Sequence, residues 1–128
     1  MSKMEIEEIE TWNPPVTTDE YQDFVAGKWQ PSELPIKNEL RASLGIFGEG
    51  GEVAELIKKW HRPNNPLTPE QFRERFTDEM GDLLFYIAAL CSFYDVTLDE
   101  VLKGNILKLE VRALKGTILT MDREETVN

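Results

Sequence analysis

Two pairs of acids pose the chemical question in this chain. Glu49 and Glu52 lie three residues apart in Gly48-Glu49-Gly50-Gly51-Glu52, and Glu79 and Asp82 lie three apart in Glu79-Met80-Gly81-Asp82. Residues at that spacing share a helix face. The pairings 49 with 82 and 52 with 79 are both centred between residues 65 and 66, inside the turn-rich stretch His61 to Thr68 that holds Pro63, Asn64, Asn65 and Pro66. An antiparallel helical hairpin about that stretch sets the four carboxylates at nearly one height: at ~1.5 Å per residue, Glu52 is roughly 12 Å and Glu79 roughly 15 Å from the connection. Four facing carboxylates repel and raise one another's pKa unless cations sit between them. Oxygen-only donors suit Mg²⁺, with Mn²⁺ as the alternative, and such ions can neutralise a bound polyphosphate as well. One histidine and one cysteine are too few for the usual zinc, haem or histidine-carboxylate iron sites.

Charged residues on helices are usually just solvated, and that is the plain alternative for these four acids. The neighbouring glycines speak against it. Gly45, Gly48, Gly50 and Gly51 all fall in the same helical stretch, and each costs a helix interior about 1 kcal/mol relative to alanine. Their presence implies a close approach to the backbone by a partner helix, a metal cluster or a ligand.

The elements that must position these acids are helices. Apolar residues Leu40, Leu44, Phe47, Val53, Leu56, Ile57 and Trp60 recur at helical spacing from about Ile36 to Trp60, and Phe72, Phe76, Met80, Leu83, Ile87, Leu90 and Tyr94 form a second seam. Three threonines mark helix starts: Thr17 with Glu20, Thr68 with Pro69 and Gln71, and Thr97 with Glu100. The first opens a short helix to about Lys28, the second opens the helix bearing Glu79 and Asp82, and the third opens one that runs to roughly Leu114. No period-two run demands a strand, although residues 117–120 could extend locally. The expected fold is all-α: a helical hairpin with flanking helices in a four-helix-bundle-like domain at 17–116, between an acidic tail at 1–16 and a C-terminal tail at 117–128.

The 128 residues suffice for one core. Fourteen basic against twenty-four acidic residues give a net charge of −10 without a basic cluster, which disfavours a nucleic-acid duplex as partner. No stretch of about 18 apolar residues suggests a membrane span, and the acidic start does not resemble a signal peptide, so a cytoplasmic location is expected. Cys91, in the apolar run Leu83 to Phe93, is expected in the core.

Taken in order, GIFGEGGEVAELIKK, DEMGDLLFYIAAL and NILKLEVR resemble the MazG-like nucleoside triphosphate pyrophosphohydrolases of the all-α superfamily, over about residues 18–116. The resemblance implies Mg²⁺-dependent hydrolysis by metal-activated water between the α and β phosphorus atoms, giving nucleoside monophosphate and pyrophosphate. It implies Glu49, Glu52, Glu79 and Asp82 as metal ligands and catalytic residues, and Asn105, Lys108 and Arg112 as substrate-binding residues on the last helix. Gly48 stands where many members carry a further glutamate. Gln22 corresponds to the family's first helix and could line a base pocket. Trp60 could stack on a base or anchor the hairpin, and Tyr86 could bond the sugar or belong to the core.

A homodimer or homotetramer is expected as well. Leu84, Phe85, Ala88, Ala89 and Phe93 lie outside the seam of the second long helix, so that helix needs burial on more than one side, which a second copy would supply. The competing functional reading is a non-catalytic all-α oligomeric interaction module whose acidic helix faces meet basic residues of a partner.

Overall fold

The computed structural model of the chain describes residues 5–33 and 36–116. It holds five helices in the order α1 (Ile6–Glu10), α2 (Thr18–Lys28), α3 (Asn38–Trp60), α4 (Pro69–Phe93) and α5 (Leu98–Leu114), with no strand among the described residues. The stretch 117–120, read as a local extension, lies outside the described residues.

Local chemistry sets the helix starts where the threonines stand. The Thr68 and Thr97 hydroxyls accept from the backbone N–H groups of Gln71 and Glu100, and those side chains accept in return from the cap N–H groups. At Thr17 the return bond differs, because its hydroxyl donates to Glu20 Oε1 at 3.0 Å while accepting from Glu20 N–H. The acidic tail contains one element that its composition did not announce. A reciprocal capping box between Glu5 and Glu8 holds the single turn and a half of α1, with no buried residue on it.

The α3–α4 hairpin is the body of the fold, and α2 packs on α4 while α5 packs on α2. Val25, Ala42, Ala88, Ala89 and Leu98 form the buried core, and Tyr21, Trp29, Phe85, Ile87, Leu90 and Cys91 pack around it. The deepest residues of α4 are therefore Ala88 and Ala89 rather than members of the Phe72–Tyr94 seam, whose last residue, Tyr94, is exposed. Small side chains let α2 approach α4 closely, so Ala88 and Ala89 on the second apolar side of α4 are covered within the chain. Leu84 and Phe93 of that side stay exposed, surface that the expected second copy would cover.

Between α4 and α5 the chain turns sharply, leaving the two helices at 99°. Asp95 adopts a left-handed conformation (φ 54°), Val96 N–H bonds to Cys91 O and Asp95 N–H to Ser92 O, which is the Schellman pattern with aspartate in the usual glycine place. Gln22 fastens α2 to this corner: its amide donates to Ser92 Oγ (3.0 Å) and Val96 O (2.8 Å), and its carbonyl accepts from Leu98 N–H (2.9 Å). Most of α5 remains exposed, including Leu102, Ile106, Leu107 and Leu114.

Candidate functional site

Where α3 and α4 face each other in mid-hairpin, Glu49, Glu79 and Asp82 each present a carboxylate oxygen within 4.8 Å of the others. Two come from one turn of α4 and one from α3, so the antiparallel register inferred from the spacing is what brings them together. Glu49 and Glu79 are half-buried and Asp82 is exposed. The Glu49 carboxyl is raised above its ordinary value, first by desolvation and then by the charges of Asp82, Glu79 and Glu52. Glu52 thus acts on the group electrostatically, yet it is exposed and stands outside the close triad. Glu79 and Asp82 have the same three-residue spacing and both join the triad, so the spacing alone does not decide which acids close it.

Tyr21 of α2 also belongs to this neighbourhood. Its phenol is raised by burial and next by the Asp82 charge, so α2 brings a half-buried hydroxyl within electrostatic reach of the triad. The sequence held only a weak signal for it, a polar-tipped aromatic beside Gln22 on the helix that turns its core face to α4.

Gly45, one turn before Glu49, shows a close approach of the kind the glycines implied. A Cβ there would overlap the Tyr86 ring. Tyr86 in turn meets Trp29 and Phe85 edge-on, at 6.1 and 5.6 Å between ring centres, and Trp29 stacks on Phe85. The Trp29 indole N–H donates to Asn38 Oδ1, and the Arg41 guanidinium lies over its ring at 4.5 Å. Around Gly48, Gly50 and Gly51, by contrast, a Cβ would meet nothing within 4 Å, so the close approach expected there has no partner within the described chain.

The remaining expected site residues fall on packing contacts or on the exposed face of α5. Trp60 stacks on Phe72 at 4.5 Å, and Phe72 on Phe76 at 6.0 Å, so the tryptophan anchors the loop end of the hairpin. Tyr86 is occupied by packing against Gly45. Gln22 is buried and commits both amide hydrogens and its carbonyl to the α4–α5 corner, which leaves it bonded to the fold rather than open to a base. Asn105, Lys108 and Arg112 are exposed on α5, which leaves α4 at 99° and has its main packing contact with α2. A groove of about 500 Å³ at the α2–α4–α5 corner, lined by Asp19, Gln22, Asp23, Ser92 and Asp95 among others, shares no residue with the triad.

The donor set is hard oxygen only, drawn from two rigid helices, and it fits a divalent cation of the Mg²⁺ or Mn²⁺ type. The chain is 34% identical over 76 residues to the Gene 37 protein of Mycobacterium phage L5, an alignment covering 59% of this chain and 67% of that protein. No solved structure matches. Residues 37–116, which contain the hairpin, all three triad acids and α5, match the MazG nucleotide pyrophosphohydrolase domain, and the chain belongs to that family.

Proposed function

We propose that the protein hydrolyses a nucleoside triphosphate to the nucleoside monophosphate and pyrophosphate in a Mg²⁺-dependent reaction. The observation that carries this is the convergence of Glu49, Glu79 and Asp82 from two helices, a placement that is unfavourable without a cation and suited to one. Glu49 and Glu79, half-buried, would hold the ion on the hairpin side, with Asp82 toward solvent. A divalent ion bound there supplies positive charge to a polyphosphate and makes water a better nucleophile at neutral pH. Glu52, exposed and one turn from Glu49, is placed to complete the ligand set or to accept a proton from the attacking water. Lys108 and Arg112, with Asn105, remain the proposed phosphate contacts on the family resemblance, and the protein is proposed to work as a dimer or tetramer in the cytoplasm.

The test is product analysis on a panel of nucleoside triphosphates with and without Mg²⁺. Pyrophosphate and monophosphate in equal amounts, only with the metal, are expected. Orthophosphate as the product would overturn cleavage between the α and β phosphorus atoms. Lys108→Ala is expected to raise KM about tenfold, the loss of roughly one charge-assisted hydrogen bond, with the pyrophosphate product unchanged.

A further inference from the structure

Past its first turn α5 carries an apolar seam that loses its cover where α2 begins. Leu98, Leu102, Ile106, Leu109 and Ala113 follow one another at steps of 4, 4, 3 and 4 residues, the spacing of a helix–helix contact. Leu98 at its head is buried in the core beside α2, which fastens there through Gln22. Lys103, paired with Asp99 at 2.8 Å, still lies within electrostatic reach of Asp19 in the first turn of α2. The rest of the seam is open, with Leu102 51% and Ile106 63% exposed.

A second apolar stripe without cover stands just before α2. Ile6, Ile9 and Trp12 step by three residues along and just past α1, and they are 71%, 56% and 50% exposed. We propose that α1 docks on the open seam of α5 as an acidic strap, with Ile6, Ile9 and Trp12 lying on Leu102, Ile106 and Leu109, and that its carboxylates then compete with a polyphosphate for the basic residues of α5.

Position, length and charge all select this occupant. The packing of α2 on α5 already leads the chain along the seam, since Gln22 meets Leu98 and the earlier Asp19 approaches the later Lys103. Residues before Thr17 continue that line. The six residues 11–16 join α1 to Thr17, and extended at ~3.3 Å each they span roughly 20 Å. From Leu102 to Ala113 the seam is about 16 Å long at ~1.5 Å per residue. Residues 5–12 hold Glu5, Glu7, Glu8 and Glu10 and no base, whereas residues 103–115 hold Lys103, Lys108, Arg112 and Lys115 against the one acid Glu110. Another basic stretch, Lys58 to Arg62, lies at the loop end of the hairpin, out of that reach: α4 places it about 35 Å from Ser92, where α2 is fastened.

Helical angles set Asn105 and Arg112 on one flank of the seam and Lys103 on the other, with Lys108 one turn from Arg112. Carboxylates brought to these flanks present the same anionic oxygens as a triphosphate. The docking stands by itself, while the competition rests on the reading of Asn105, Lys108 and Arg112 as phosphate contacts.

Docking is read by oxidative crosslinking of the full chain carrying Ile9→Cys and Ile106→Cys, the central positions of the two stripes, in a Cys91→Ser background. A disulfide within one chain is expected, and a control pair of Ile9→Cys with Lys58→Cys is expected to stay reduced. No disulfide, a disulfide only between chains, or equal yields from the two pairs would overturn the strap. Competition is read in the kinetics of a chain carrying Glu7→Gln, Glu8→Gln and Glu10→Gln together. A KM lowered about threefold at unchanged kcat is expected, with the difference shrinking as salt is raised. An unchanged KM would overturn the competition and leave the strap. A wild type that releases no pyrophosphate would overturn the proposed hydrolysis and the competition with it, and the crosslink then decides the strap alone.

Discussion

The two long faces of α3 depart from ordinary helix design in opposite ways. On the inner face the chain brings like charges together: Glu49 meets Glu79 and Asp82, and Gly45 gives up its side chain to admit the Tyr86 ring. On the outer face, among the described residues, Leu40, Leu44 and Phe47 stay exposed beside glycines whose Cβ positions are open. The inner departure is the one we propose a cation satisfies, while the outer one is apolar surface left open. Glycine in the middle of a helix therefore differs by position here: at 45 it makes room for the chain's own aromatic ring, and at 48, 50 and 51 it borders open space among the described residues.

Removing charge from the inner face should have the largest effect. Glu49→Gln is expected to lower turnover by more than the ~10–100-fold typical of losing a partner of a metal ligand, while raising the melting temperature of the metal-free protein, because it relieves repulsion. A loss of both activity and metal-free stability would mean that Glu49 is a structural residue. Gly45→Ala comes next: its methyl group must displace Tyr86, at a cost of roughly 1–3 kcal/mol, read by chemical denaturation. Glu52→Gln should be milder than Glu49→Gln, about tenfold in turnover, matching one exposed charge-assisted contact; an equal loss would bring Glu52 into the triad.

On the outer face Gly51→Ala is expected to stabilise the chain by about 0.5–1 kcal/mol through helix propensity, since a Cβ there meets nothing within 4 Å, as read by thermal melts. The smallest effect concerns pH. The folded-state pKa of Glu49 lies above its unfolded value, so the folded chain holds the extra proton and stability falls as pH rises through that window. The stabilisation gained by Glu49→Gln without metal should therefore be full at neutral pH and shrink as pH falls into the acid range, in paired thermal melts.

Much of this arrangement was legible because it is local or arithmetic. Thr17, Thr68 and Thr97 each start a helix by bonds spanning three residues, and the hairpin register follows from two acid pairs centred on one connection. The departures arise where distant residues decide. The direction of α5, and with it the place of Asn105, Lys108 and Arg112, depends on the left-handed Asp95 and on Gln22 reaching across 70 to 76 residues of sequence to the same corner. Ala88 and Ala89 became the centre of the core because α2 lies against them, and alanine in a helix gives little warning of that. Glu52 fell outside the close triad although its spacing from Glu49 equals that of Glu79 and Asp82, so spacing marked the candidates without deciding which of them meet. Trp60 and Tyr86 carry side chains that could serve a base or a core, and their neighbours Phe72 and Gly45 settle them in packing.

The most direct measurement is calorimetric titration of Mg²⁺, and of Mn²⁺ as a second probe, into the wild type and Glu49→Gln at neutral pH. Saturable binding in the wild type, abolished or weakened at least tenfold in a folded Glu49→Gln protein, is the expected result. Equal binding by the two proteins, or no binding by a folded and assembled wild type, would contradict the assignment of the triad as a metal centre.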